Sequence, residues 1–183
     1  MITLKEIFRR LPSDGKVRHI LRQFNLAPKT NARAASVKKL AEDLGFDVQR
    51  KRLPKGMAGR LVPDPFSDNG YCIEVNEADS IQRQRWTVLH EIGHYFLHTN
   101  DNLPFAPEKL RERGAINGIA PFYSFEEDIE EREADEFAAA LLFDGGALAA
   151  AFSLLGGDEI KLAKHFGVSP NAIKIAVRQF GLR

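Results

Sequence analysis

The sequence predicts an α+β fold in which a small antiparallel sheet sits between helical segments. Three observations carry that prediction. Helical periodicity opens the chain, three short β-rich pieces follow, and helical periodicity returns to the end. The β-rich pieces are joined by short turn-forming stretches, and short connections suit antiparallel pairs because parallel neighbours need long crossovers. At 183 residues with 44% hydrophobic side chains, the chain is long enough for one domain, with or without a small appendage, and can fill a sizeable core.

Each element has a local reason. Residues 2–11 and 16–26 read as two short helices, split by the turn signal Pro12-Ser13-Asp14-Gly15. Residues 32–44 form a third, with Val37, Leu40, Ala41 and Leu44 as its apolar stripe and Gly45 placed for a left-handed cap. Residues 46–53, 57–62 and 71–76 are the strands. Residues 80–98 read as one long helix with Asp79 or Ser80 as its N-cap. Residues 99–125, with three prolines and two glycines, read as an irregular excursion. A helix resumes over 126–143 and ends at Gly145-Gly146. Two more follow at 159–166 and 170–180, the last capped by Ser169 with Pro170 at its first position. This divides the chain into a helical extension over 1–31, a core over 32–146 and a C-terminal helical subdomain over 147–183, packed on the core.

Composition excludes several classes. No apolar run approaches 18 residues, which argues against a membrane span, and the first residues lack the apolar core of a secretory signal. Cys72 is the single cysteine, so neither a disulfide framework nor a cysteine-built zinc site is available. A soluble cytoplasmic protein is the expectation. The net charge of +1 does not suggest a nucleic-acid binder. It hides an asymmetry, for residues 1–60 carry 15 Lys and Arg against 5 Asp and Glu. That basic front either offsets the acidic remainder as a solvated surface or docks something acidic.

The chemistry lies in Trp86-Thr87-Val88-Leu89-His90-Glu91-Ile92-Gly93-His94, which contains H-E-x-x-H. On a helix, residues i and i+4 share a face, so His90 and His94 can aim ring nitrogens at one ion. Glu91 is rotated about 100° from His90, which sets its carboxylate beside the ion, where an attacking water would be held. Val88, Leu89, Ile92 and Phe96 make another face of the same helix apolar, so the helix is half-buried. Zinc needs a third protein ligand and an open position. The later helix, EEDIEEREADEFAAALLF, packs eight acids into residues 126–136. Ala134, Phe137, Ala138, Leu141 and Leu142 define its buried stripe. Glu127 and Glu131 border that stripe, whereas Glu133 points away from it. Asp135 lies one turn beyond Glu131, where it can accept the far N–H of a zinc histidine. Glu131 is therefore the expected third ligand, with Glu127 as the alternative.

These residues, with LAEDLGFDV, MAGRLV, YCIEVNEA, RQRWTVLHEIGHYFLH and EREADEFAAALL around them, make residues 40–143 resemble the ImmA/IrrE family of metallopeptidases. The resemblance implies a zincin-like, gluzincin arrangement, with Zn²⁺ on His90, His94 and Glu131 and with Glu91 as catalytic base. It also implies a bacterial or phage-like regulator in gene control or stress response. Its substrate would be a helix-turn-helix repressor or an antitoxin encoded nearby, as in toxin–antitoxin pairs. Two departures are visible. Leu141-Leu142-Phe143-Asp144 stands where the family usually has L-L-M-P, and Asp135 where it commonly has Asn.

Other residues are read more plainly. Positions 90 and 98 lie about 12 Å apart along a helix, so His98 cannot join the same ion and is expected to meet the last carbonyls of its helix. His19 and His165 are surface or packing residues. Of the tyrosines Tyr71, Tyr95 and Tyr123, the last, ahead of the later helix, is one candidate to stabilise an oxyanion, and the sequence does not decide among them. The end of the chain, LAKHFGVSPNAIKIAVRQFGL, resembles a helix-turn-helix, whose second helix would offer Asn171, Lys174, Arg178 and Gln179 to DNA. The rival function is therefore a DNA-binding or partner-binding regulator whose zinc site is structural or silent. Residues 57–62 are the candidate edge strand for an extended substrate, with Gly59 permitting close approach or a bulge and Arg60 supplying an edge N–H.

Overall fold

The computed structural model describes residues 2–11, 13–26, 34–98 and 125–182, with side chains in the last stretch from residue 129. Among these the order is α1 (Leu4–Arg10), α2 (Gly15–Leu26), α3 (Val37–Asp43), β1 (Asp47–Lys51), β2 (Gly59–Pro63), β3 (Tyr71–Asn76), α4 (Ile81–His98), α5 (Phe125–Phe143), α6 (Ala147–Leu154), α7 (Glu159–Phe166) and α8 (Pro170–Gln179). The fold is α+β. No single helix among the described residues is long and apolar enough to cross a membrane.

The sheet corrects the expected antiparallel arrangement. Its order is β1-β3-β2, with β1 parallel to β3 and β2 antiparallel to it. The reason is burial. Residues 72–76 of β3 are all buried, whereas β1, with sequence DVQRK, is exposed or half-exposed along its length. The most covered strand takes the centre and the charged one an edge, where charge discourages further pairing. The stretch from 52 to 70, which contains β2, is long enough to serve as the crossover that parallel pairing demands. Glu74 is buried on β3 and held by Lys51 and by Arg60, whose Nε lies 2.6 Å from Oε2. Burial alone would raise the pKa of Glu74, but these two bonds outweigh it and keep the carboxyl below its ordinary range.

Gly59 serves the packing of α4 against the sheet. A Cβ there would lie 2.3 Å from Thr87 Cγ2 and 2.7 Å from the Glu74 carbonyl oxygen. The missing side chain lets α4 lie against the sheet. Gly59→Ala should therefore destabilise the fold by about 2–3 kcal/mol. Thermal unfolding of the metal-free chain checks this, and a drop of roughly 4–12 °C is the expected result.

The backbone phase of β2 corrects the reading of Arg60 as well. Asn76 N–H donates to Ala58 O at 2.8 Å and Asp64 N–H to Gly70 O at 2.8 Å. Bonded and non-bonded pairs alternate in an antiparallel ladder, so Arg60 bonds inward to Glu74 across the register. Gly59, Leu61 and Pro63 are the residues whose main chain faces away from β3, on an edge that no other strand among the described residues pairs with.

The helices pack around α4 and α5. Ile7 of α1, Leu21 of α2, Ile73 of β3, Ile92 of α4, Phe137 of α5 and Ile173 of α8 all belong to one buried cluster. Thr3 and Glu6 form a capping box on α1. That helix is tied to α5 by Ile2 N–H on Glu136 and Leu4 N–H on Asp144, each at 2.7 Å. Part of the basic front thus meets the acidic helix inside the molecule: Arg10 pairs with Glu133 at 2.9 Å. Helix α3 starts at Val37, capped by Ser36, and so is shorter than expected; Gly45 takes the left-handed conformation after it. Helix α6 is an addition to the elements that the sequence predicts. At the other end, Arg85 of α4 donates from Nε to the Gly167 carbonyl at 3.0 Å and from Nη2 to that of Phe166 at 3.4 Å, which caps α7.

Candidate metal centre

Ser80 caps α4, its Oγ accepting from Arg83 N–H at 3.3 Å. Along the helix, Trp86, His90, His94 and His98 recur at i+4 and so share one ridge. Helix α5 crosses this ridge closely because Gly93 has no side chain. A Cβ at Gly93 would lie 3.2 Å from the Cα and carbonyl oxygen of Ala134 and from Phe137 Cβ. The close crossing brings Glu131 to the histidines.

His90 Nε2 and His94 Nε2 are 3.1 Å apart. Glu131 Oε2 is 3.2 Å from His90 Nε2, and Glu131 Oε1 is 3.4 Å from His94 Nε2. His90, His94 and Glu131 each direct one ligand atom into a group spanning no more than 4.8 Å. Metal–ligand bonds of about 2.0–2.1 Å in a tetrahedron put neighbouring donors about 3.3 Å apart. The observed separations match that edge, and two imidazoles with one carboxylate form a suitable donor set for a divalent cation. His90 and His94 are both buried.

A second grouping, Asp47, Asp64 and Cys72, is comparably tight. Burial pushes the Cys72 thiol up to about 11, with Asp47 and Glu74 adding to the effect. That grouping lies apart from the H-E-x-x-H helix, and two of its three residues are exposed or half-exposed, whereas His90 and His94 are buried.

The far nitrogens of the two histidines are also held. His90 Nδ1 lies 2.8 Å from Asp135 Oδ1, the oxygen that Trp86 Nε1–H also reaches at 3.1 Å. Burial would raise the pKa of Asp135, but the contacts with His90 and Trp86 outweigh it and the net direction is down. His94 Nδ1 lies 3.0 Å from His98 Nδ1, and His98 Nε2 lies 3.1 Å from Glu133 Oε2. This differs from the expected capping role of His98. It also brings inward Glu133, which helical-wheel arithmetic had turned away. Burial likewise works against the charge of Glu133, yet Arg10 and His98 hold its pKa below the ordinary range.

Glu91 is 1% exposed. It lines, with His90 and Glu131, a cleft of about 1060 Å³ that runs from Ala58 and Gly59 on the sheet edge to Asn171 and Gln179 on α8. Two of the four residues considered for DNA contact therefore face this cleft. A third, Lys174, lies 3.5 Å from Glu159. Tyr123 and the side chain of Glu127 fall outside the described residues.

The geometry can be set beside known proteins. The profile of a peptidase family described as the IrrE N-terminal-like domain matches residues 41–178. The metallopeptidase ImmA of Bacillus subtilis (strain 168) is 36% identical over 59 residues, which cover 31% of this chain and 34% of that protein. The aligned region thus spans about a third of the relative's length.

Proposed function

The chain belongs to the IrrE N-terminal-like family of peptidases, and from that premise we propose that it is a cytoplasmic zinc-dependent endopeptidase with a zincin-like core. The observation that carries the reading is the trio of donor atoms from His90, His94 and Glu131, with Glu91 beside them on the cleft wall. Zinc, when bound there, supplies a Lewis acid that polarises the scissile carbonyl and acidifies a water.

The remaining steps fall to the chain's own residues. Glu91 accepts the proton of the attacking water and delivers it to the leaving amine nitrogen. Asp135, fixed by Trp86, orients the His90 ring. An extended substrate fits along the edge of β2 that faces away from β3, pairing with the main chain of Gly59 and Leu61, since that edge opens on the cleft at Gly59.

The substrate in this reading is a helix-turn-helix repressor or an antitoxin encoded beside the gene. Co-incubation of the two purified products, followed by mass mapping, tests it. One internal cut is expected, sensitive to chelator and absent with Glu91→Gln. An uncut partner, at a concentration where the two proteins associate, would count against it and favour a regulator with a silent site.

A further inference from the structure

We propose that Arg10, Glu133 and His98 form a hydrogen-bonded chain that positions His94 for the metal, so that the N-terminal helix helps to set the geometry of the site. The proposal rests on the reading of His94 as a ligand.

Proton bookkeeping along the chain gives one consistent solution. If His94 offers the Nε2 lone pair to a cation, its proton is on Nδ1. That atom lies 3.0 Å from His98 Nδ1, which must then act as acceptor. The His98 proton is therefore on Nε2, 3.1 Å from Glu133 Oε2, a carboxylate oxygen that accepts it. The other carboxylate oxygen, Oε1, accepts from Arg10 Nη1 at 2.9 Å. In this assignment each of the three hydrogen bonds joins one donor to one acceptor. The His98 and Glu133 side chains are 11% and 22% exposed, so water competes weakly for the bond between them, while Arg10 at the outer end of the line is 46% exposed. His90 is held by a carboxylate directly, whereas His94 reaches its carboxylate through a second imidazole.

Arg10 is not needed merely to dock α1. The backbone bonds of Ile2 and Leu4 to Glu136 and Asp144, and the fully buried Ile7, already secure that helix. The Arg10–Glu133 pair is thus free to serve the line behind His94.

Chelator-stripped full-length protein tests this by zinc competition titration and by the visible absorption of the cobalt(II) form. His98→Leu should weaken zinc binding about 10–100-fold, the usual cost of losing an outer partner of a ligand histidine. It should also alter the cobalt bands. His98→Gln retains an acceptor for His94 and should recover part of the affinity. Glu133→Gln and Arg10→Ala should weaken binding less, and Arg10→Ala should add almost nothing in a Glu133→Gln background, because one line is cut once. Metal-free thermal unfolding of Arg10→Ala should stay close to wild type. If His98→Leu fails to fold, Glu133→Gln and Arg10→Ala decide the matter. Zinc affinity within twofold of wild type, with unchanged cobalt bands, in all folded single variants overturns the chain. If wild type takes up no zinc, the site and the chain fall together; if Glu131→Ala loses zinc while these variants keep it, only the chain falls.

Discussion

Glu91→Gln should keep its zinc and its fold and lose about three orders of magnitude in cleavage rate, within the range that a positioned general base supplies. The amide has nearly the same size and hydrogen-bonding reach as the carboxylate but cannot accept the proton. Glu91 is not among the grouped metal donors, so metal content should be indifferent to the change. Single-turnover cleavage of the identified partner, with metal content measured on the same sample, checks both halves. Retained activity would remove Glu91 from its role. Loss of metal would show that it holds the ion or supports the residues that do.

Glu131→Ala has the opposite signature. It removes one of three protein donors and should weaken zinc binding by well over about 100-fold, beyond the cost of losing an outer partner. Cleavage is lost with the metal. Glu127→Ala should leave both nearly unchanged. The reverse outcome, metal lost with Glu127→Ala and kept with Glu131→Ala, would reassign the third ligand one turn earlier on α5.

The parts of this site that could be read in the sequence are those set by spacing within one helix. His90 and His94 share a ridge because i and i+4 always do, and Asp135 follows from Glu131 by the same rule; the structure brings these four together. What the sequence concealed depends on how helices and strands cross. Wheel arithmetic places Glu133 relative to its own helix, but its partner His98 lies on another helix and Arg10 on a third. The recurrence of histidine at 90, 94 and 98 was the available signal. Three such residues cannot share one ion, and spacing along one helix does not show that one histidine can back another.

The sheet shows the same division. Strand positions followed from β-rich runs between turns, but strand order depends on which strand is covered on both faces. That favoured β3 over its neighbours in sequence. Gly59 was visible as an anomaly in a strand. Its cause, Thr87 of α4 lying against it, belongs to tertiary packing. Helix α6 escaped notice because ALAAAFSL between glycine pairs has no strong amphipathic period to mark it.

Zinc stoichiometry is the most direct test of the site. Chelator-stripped wild type should bind one zinc per chain in a competition titration, and Glu131→Ala should bind none at the same free concentration. A wild-type chain that remains below a tenth of an equivalent after reconstitution, or one whose zinc survives Glu131→Ala and His94→Ala alike, would contradict the assignment of this site.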